Sequence, residues 1–333
     1  MFKKAIVTGG CGFIGSNLVN RLIKNEIAVL NLDDMRIGAN EAYLKDLDPQ
    51  VDYDFRKVDL SDSVSLNEAI SNFIPDVIFH LAAESHVDRS IKNPKSFIES
   101  NITGTFNLLE ILRSKYKQRN LRFIHVSTDE VFGSLELGTE EKFTETSQYK
   151  PSNPYSASKA ASDHLAKAWH ETYGLDIIVT NCSNNYGPRQ HQEKLIPKII
   201  FNTLKGKEIP IYGDGLNVRD WLYVEDHVDA LIKIAHKGKS GESYLIGGNN
   251  QLSNIELANI VLEKLSYKLN EQRLDYNMLI THVDDRVGHD RRYATDSKKL
   301  LQELYWRPRI SMEQGIELTI DWYLDFWIGR RDV

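Results

Sequence analysis

Between residues 4 and 24 the chain passes from a short apolar run, Lys4–Thr8, through Thr8-Gly9-Gly10-Cys11-Gly12-Phe13-Ile14-Gly15 into an amphipathic helical pattern, Ile14–Lys24. Glycines in three-residue steps between a strand and a helix leave few folds open. Gly9, Gly12 and Gly15 permit a tight turn, close approach of backbone to a pyrophosphate and close helix packing. The helix N-terminus then presents unpaired N–H groups to phosphate oxygens. Glycine turns also follow strands for geometric reasons alone, but placement at the first strand–helix junction predicts a dinucleotide site.

The rhythm that follows supports this. Lys4–Thr8, Ala28–Leu32, Asp54–Val58, Val77–Leu81, Arg122–Ser127 and Ile177–Asn181 read as strands. Most are apolar on both faces, as parallel strands covered by helices are. Helical patterns fill the gaps at Ile14–Lys24, Val64–Asn72, Pro94–Lys117 and Asn153–Tyr173. Alternating β and α elements predict a Rossmann-like doubly wound parallel α/β sheet over residues 1–182. Beyond 182 the rhythm breaks. Ser183–Gln190 reads as an irregular loop rich in Asn, Gly and Pro. A helix at Lys194–Lys205, a strand at Ile209–Tyr212, the turn Gly213-Asp214-Gly215 and helices near Glu225–His236, Asn254–Leu265 and Met312–Phe326 follow. They predict a smaller mixed α/β lobe over 183–333 that binds the substrate, with about 225–240 packing back on the first lobe.

The bulk numbers exclude some classes of function. The chain has 333 residues, 41% hydrophobic and 26% charged, which argues against disorder and allows a substantial core. A net charge of −6 supplies no global field for nucleic acid, so an anionic ligand must be held by locally placed cations. Cys11 and Cys182 form neither a disulfide framework nor a zinc pattern, and no metal is expected. No signal-peptide pattern and no membrane-spanning apolar run is visible, so the expected location is the cytoplasm.

Asp33 closes the second strand, where a carboxylate can accept hydrogen bonds from an adenosine ribose and repel a 2′-phosphate. This favours NAD over NADP, with Arg36 nearby keeping NADP open. Asp34 is the alternative ribose ligand. Asp59, after the third strand, is a partner for the adenine amino group or the cap of the following helix.

Thr128-Asp129-Glu130 ends the fifth strand, and Tyr155 and Lys159 stand four apart on one helical face. A tyrosine is a poor base at neutral pH. An ammonium one turn away, with a cationic nicotinamide, would stabilise its phenolate. Hydride chemistry at a carbinol needs no more than this. Asp129 and Glu130 add an acid and a base, suited to an elimination, or else they are solvated loop acids.

The ensemble resembles the extended short-chain dehydrogenase/reductase family, from about residue 4 to about residue 323. The runs that carry the likeness are Ala82–Ser90, Ser127–Val131, Cys182–Pro188, Glu193–Pro197 and Tyr212–Trp221. The Thr-Asp-Glu triplet and Glu193-Lys194-Leu195-Ile196-Pro197 are the more specific, and are similar to nucleotide-sugar 4,6-dehydratases of that family. The resemblance implies a tightly bound, recycled NAD and a nucleoside diphosphate-hexose substrate, dTDP-glucose first. By it, Thr128 bonds the C4 oxygen, Glu130 removes the C5 proton, Asp129 protonates the C6 hydroxyl, and Tyr155 and Lys159 serve the C4 oxidation. Phe13, Ile14, Leu60, Leu81, Ala83 and Ser127 join the cofactor site, with Tyr155 and Lys159. Arg219 and Arg286 take the diphosphate and Asn184 a phosphate or sugar oxygen. Lys194, Leu195, Pro210 and Tyr212 frame the base. Asn254, His289 and Tyr293 complete the diphosphate end, and Glu84 and Ser85 meet sugar hydroxyls. For the arginines the alternative is surface ion pairing. A homodimer through Pro94–Lys117 and Asn153–Tyr173 is implied as well.

Two segments depart from the family pattern. Asp34-Met35-Arg36-Ile37-Gly38-Ala39-Asn40 stands where Lys-Leu-Thr-Tyr-Ala-Gly-Asn is usual, and Arg189-Gln190-His191-Gln192 precedes Glu193 where aromatic residues and Pro are usual. Thymine and uracil therefore both remain open. The rival readings are a UDP-glucose 4,6-dehydratase, a UDP-sugar epimerase or decarboxylase, and a non-catalytic NAD-sensing protein. The Asp129-Glu130 pair speaks against the epimerase and the decarboxylase, and an intact Thr128, Tyr155 and Lys159 speak against the sensor.

Overall fold

The computed structural model describes residues 2–116, 121–270 and 275–331. In the first half, β1 (Lys4–Thr8), β2 (Ala28–Asp33), β3 (Tyr53–Lys57), β4 (Val77–His80), β5 (Arg122–Thr128) and β6 (Asp176–Cys182) alternate with helices. The helices are α1 (Phe13–Lys24), α2 (Ser63–Ile70), α3 (Val87–Lys92), α4 (Pro94–Phe97), α5 (Gly104–Ile111) and α6 (Pro154–Tyr173). The second half contains β7 (Asn184–Tyr186), α7 (Leu195–Leu204), β8 (Ile209–Tyr212), β9 (Val218–Tyr223), α8 (Val224–Lys237) and β10 (Ser243–Ile246). It continues with β11 (Gln251–Ser253), α9 (Asn254–Lys268), β12 (Ile280–Val283), α10 (Lys298–Leu304) and α11 (Met312–Arg331).

Seven strands form one sheet in the order β10-β6-β5-β4-β1-β2-β3, parallel throughout. Ala5, Ile6 and Val7 are fully buried, as befits a strand packed on both faces. One face carries α1 and α8, with Leu18, Leu22, Val228 and Leu231 in its core; the other carries Leu66, Leu108, Leu112 and Ala166. The strand order reverses between β1 and β4, and the crevice at their C-terminal ends is where ligands of such sheets bind. A second core, including Ile199, Ile200, Trp221, Leu257 and Ile320, holds the smaller lobe around the short sheets β11-β9-β7 and β12-β8.

Several elements differ from the sequence reading. The segment read as an irregular loop contains β7, whose Asn184, Asn185 and Tyr186 pair with Trp221, Leu222 and Tyr223. Three residues are too few to show a period. The helix expected over Pro94–Lys117 is broken by π-helical turns at Ile98–Thr103 and Leu112–Tyr116, and Lys117 lies outside the described residues. The chain also returns to the first lobe further than 225–240. β10 extends the large sheet, and Leu300, Leu304 and Trp306 pack into its core with α8.

Helix α6 starts where its sequence directs. Asn153 caps it by accepting from the Ser156 N–H at 2.9 Å, Ser156 Oγ accepts in return from the Asn153 N–H at 3.2 Å, and Pro154 fills the first turn. Gly174, at φ +69°, ends it. Tyr155 is thereby fixed in the first turn and Lys159 in the second.

Candidate active site

Every residue that the sequence pointed to lines one cavity of about 480 Å³ over the C-terminal ends of the large sheet and against the smaller lobe. At one end is the glycine loop. A Cβ on Gly15 would lie 2.0 Å from the Gly9 carbonyl oxygen, and one on Gly9, at φ +72°, would lie 2.8 Å from the Ala82 nitrogen. The loop is therefore drawn against both α1 and the end of β4. Gly12 caps α1 without a side-chain hydrogen bond, so the first-turn N–H groups face the cavity uncapped. Asp33 Oδ2 accepts from the Cys11 N–H at 2.9 Å and Oδ1 from the Met35 N–H at 2.8 Å, tying the loop to the end of β2. Asp34 instead pairs with Arg36, which also reaches Asp59 at 2.7 Å and Glu84 at 3.7 Å. Asp59 Oδ1 accepts from the Ser61 N–H, and Asp62, not Asp59, caps α2. Ser127, at the end of β5, lines the same cavity. A cradle that a Cβ would fill, free helix N–H groups and a fixed carboxylate at the end of β2 together fit a dinucleotide.

The middle of the cavity holds Thr128, Asp129, Glu130, Tyr155 and Lys159. β5 ends at Thr128, whose hydroxyl accepts from the Glu130 N–H at 3.3 Å and so caps the 3₁₀ turn Asp129–Phe132. The cap turns Asp129 and Glu130 into the cavity side by side, instead of leaving them as solvated loop acids. Asp129 is 1% exposed and has only two long contacts, from the Thr128 and Thr295 hydroxyls at 3.4 Å. Burial, then the charges of Glu130 and Asp220, push its carboxyl well above the ordinary range. Asp220 itself is pushed up to about 6 by burial. Glu130 is also raised by burial, but Lys194, Arg219 and Arg286 favour its charged form. Environment therefore raises both neighbours but Asp129 the further, since three cations oppose burial at Glu130.

Tyr155 is buried, and burial with the nearby Glu130 holds its phenol well above the ordinary value. Lys159 is 4% exposed and donates from Nζ to the Val126 carbonyl at 2.9 Å. Burial lowers Lys159, opposed by the carboxylate of Asp163.

The far end belongs to the smaller lobe. Arg219 is 7% exposed, donates to the Val218 and Asp290 carbonyls, and lies 4.3 Å from the Tyr293 ring centre. Arg286 lies 5.0 Å from the ring centre of Tyr212 and pairs with Asp88. His289 Nδ1 bonds Asp285 at 2.6 Å, and Tyr293 donates to Asp290 at 2.6 Å. Lys194 donates to the Ser85 carbonyl at 3.0 Å. Asn184 Oδ1 is buried without a partner, an acceptor left for a ligand. Leu195, Pro210 and Asn254 complete the wall.

Sequence reasoning missed a set of bridging charges. Arg89 donates to both oxygens of Glu193 at 2.6 Å, and Asp88 holds Arg286. His86 stands 3.4 Å from Glu193. These residues join α3 of the first lobe to the second. They lie inside runs that the sequence singled out, but pairs 104 and 198 residues apart leave no trace in local spacing.

Comparison with known proteins shows the family of the chain. Residues 6–319 match the family model described as GDP-mannose 4,6 dehydratase. A dTDP-glucose 4,6-dehydratase of Neisseria meningitidis serogroup B is 49% identical, with 97% of this chain and 94% of that one covered. One from Salmonella typhimurium is 48% identical, with 96% and 92% covered. The crystal structure of a dTDP-glucose 4,6-dehydratase from Streptomyces venezuelae with NAD bound is similar at a TM-score of 0.88 and 41% identity, covering 97% of each chain.

Proposed function

The chain belongs to the 4,6-dehydratase family of nucleotide-sugar enzymes, and from that premise we propose that it converts dTDP-glucose to dTDP-4-keto-6-deoxy-glucose. It is a lyase that depends on NAD. The observation that carries the reading is the Asp129-Glu130 pair, with Asp129 buried, facing the same cavity as Thr128, Tyr155 and Lys159.

The glycine loop, Asp33, Asp59, Leu60, Leu81, Ala83 and Ser127 would hold NAD, with Tyr155 and Lys159 at its reactive end. When bound, NAD supplies the oxidation at C4 and the reduction at C6. Tyr155 takes the proton of the C4 hydroxyl, and Thr128 bonds the C4 oxygen. Since burial opposes the phenolate, its formation relies on nearby positive charge, including Lys159 one turn along. A C4 ketone acidifies the C5–H, and Glu130 removes that proton. Asp129, in its acid form, protonates the departing C6 hydroxyl, which leaves as water. A proton returned to C5, from Tyr155 or solvent, completes the product; loss of water leaves no net redox change, so the cofactor is not consumed.

Arg219 and Arg286 take the diphosphate through guanidinium donors. Asn184 offers its unpartnered oxygen to a donor on the substrate. Lys194, Leu195, Pro210 and Tyr212 frame the base, Asn254, His289 and Tyr293 finish the diphosphate end, and Glu84 and Ser85 meet the hexose. The first 182 residues chiefly serve the cofactor and the rest chiefly the nucleotide sugar. A homodimer through Pro94–Lys117 and Asn153–Tyr173 is supported by Ile98 and Phe106, 46% and 41% exposed within the first of these segments. The cytoplasm is the proposed location, in keeping with two free, buried thiols. Among the described residues no helix is long and apolar enough to cross a membrane.

The test is to incubate the purified protein with dTDP-glucose and with UDP-glucose, separately and without added NAD. A 4-keto-6-deoxy product from the first, with little from the second, is expected. A preference for UDP-glucose would move the substrate, and no product from either would remove the reading.

A further inference from the structure

Behind the reacting groups lies a polar cluster that the chemistry above does not use. One turn beyond Lys159 on α6, Asp163 is fully buried. Three donors converge on its carboxylate. His125 Nε2 donates to Oδ1 at 3.0 Å, and Tyr149 Oη and Asn181 Nδ2 donate to Oδ2 at 2.9 and 3.1 Å. Asn181 Nδ2 also reaches the Thr128 carbonyl at 3.1 Å, so the cluster is tied to the strand end that carries the acidic pair. His125 Nδ1 has no partner, which leaves the ring proton on Nε2, toward Asp163. A carboxylate with this many donors is held ionised.

A buried anion needs a cation. His125 and His80, whose ring centres are 5.4 Å apart, are driven toward neutrality by burial. Lys167 reaches only the outer rim, 3.4 Å from Tyr149 Oη, and His164 packs on the Tyr149 ring. Cys182, on β6, is held as a thiol by burial. On the cavity side stand Tyr155, Glu130 and Asp129, the last inclined to its acid form. Lys159, buried on the same helix and turned onto the Val126 carbonyl, is the ammonium that matches Asp163.

We propose that Asp163 is a positioning residue for the dehydratase reaction: it is the fixed counter-charge that keeps Lys159 an ammonium inside the closed site, and so keeps that ammonium available to Tyr155. This rests on the function proposed above. Burial works against the ammonium, and an anion one helical turn behind it opposes that effect without touching substrate. Tyr149, His125 and Asn181 hold the anion in place.

The test is Asp163→Asn, which removes the charge and keeps the shape. We expect kcat to fall about tenfold or more at pH 8, with KM for dTDP-glucose within about twofold. The alkaline limb of kcat should move to lower pH by about one unit or more, because Lys159 gives up its proton sooner. A variant that keeps the wild-type alkaline limb overturns the proposal, even if its melting temperature falls. Should the variant not fold, lysine labelled with ¹³C at Cε gives a second reading in the wild-type protein, with Lys159→Met to assign the signal. The Lys159 resonance should stay that of an ammonium across the pH range in which the enzyme is active, and a neutral amine within that range overturns the proposal. A wild-type protein that dehydrates no nucleoside diphosphate-hexose removes the function itself, a separate result.

Discussion

Asp88 holds Arg286 with both of its carboxylate oxygens, 2.6 Å from Nε and 3.0 Å from Nη2, although the two residues are 198 apart in the chain. Tyr212 donates to the same carboxylate at 3.3 Å and lies against the guanidinium. A long cationic side chain on the smaller lobe is thus fixed by an acid on the larger one. Asp88→Asn should raise KM for the nucleotide sugar about tenfold, the scale of one charge-assisted hydrogen bond, and leave kcat within about twofold. Steady-state kinetics separate the two, and an unchanged KM would show that Arg286 needs no such support.

The acidic pair predicts where the reaction stops when it is damaged. Asp129→Asn and Glu130→Gln should each lower product formation by about 10²-fold or more, the range for loss of a general acid or base. Oxidation at C4 should survive in both, so substrate should raise absorbance at 340 nm while little 4-keto-6-deoxy sugar forms. If both variants turn over normally, the elimination assigned to this pair is wrong.

Asp129 also leaves a mark on stability. Burial raises its carboxyl well above the unfolded value of about 4. Below that pH both states are protonated and nothing is lost. As pH rises, the unfolded chain ionises freely while the folded site resists, so the folded state loses stability until pH passes the raised value. Asp129→Asn escapes this loss. Its melting temperature should match the wild type near pH 4 and exceed it by about 2 °C or more at pH 8. Calorimetric scans that show no growth of the difference with pH would place Asp129 in a more solvated setting.

Gly15 bears on the cofactor as well as on the fold if the glycine loop is the cofactor's seat. A methyl group there would meet the Gly9 carbonyl oxygen at 2.0 Å and the Gly10 Cα at 2.8 Å, both backbone atoms. Gly15→Ala should therefore force the loop from α1. It should lower stability by about 1–3 kcal/mol, as overpacking does, and strip NAD from the purified protein. Nucleotide released on denaturation measures the second effect, and full retention would mean that the loop does not grip the pyrophosphate.

Much of the fold could be read from residues that act locally. The capping box at Asn153 and Ser156, the glycine after helix α6 and the buried apolar strands each state their own geometry. The order of β1 to β6 follows from alternation and the handedness of crossovers. By contrast, β7 is three residues long and exists only because β9 pairs with it. β10 joins the large sheet from the second half of the chain, beside β6, and no pattern within Ser243–Ile246 names that neighbour. The residues of the site were equally legible by type, but not their partners. Asp33 is distinguished from Asp34 only because the Cys11 and Met35 N–H groups come to its two oxygens, while Arg36 draws Asp34 away.

The sequence by itself determined the kind of chemistry: a glycine turn of the kind that admits a close-approaching ligand, a tyrosine and lysine on one helical face, and two acids beside a strand-ending threonine. These depend on spacings of a few residues, which covalent geometry and the helix repeat set directly. Tertiary structure alone decided the charges. Whether Asp129 keeps its proton, whether Lys159 stays an ammonium and whether Arg286 is steady depend on burial and on partners such as Asp220, Asp163 and Asp88. Electrostatic energy depends on distance and solvent in three dimensions, and the chain reveals neither until it has folded.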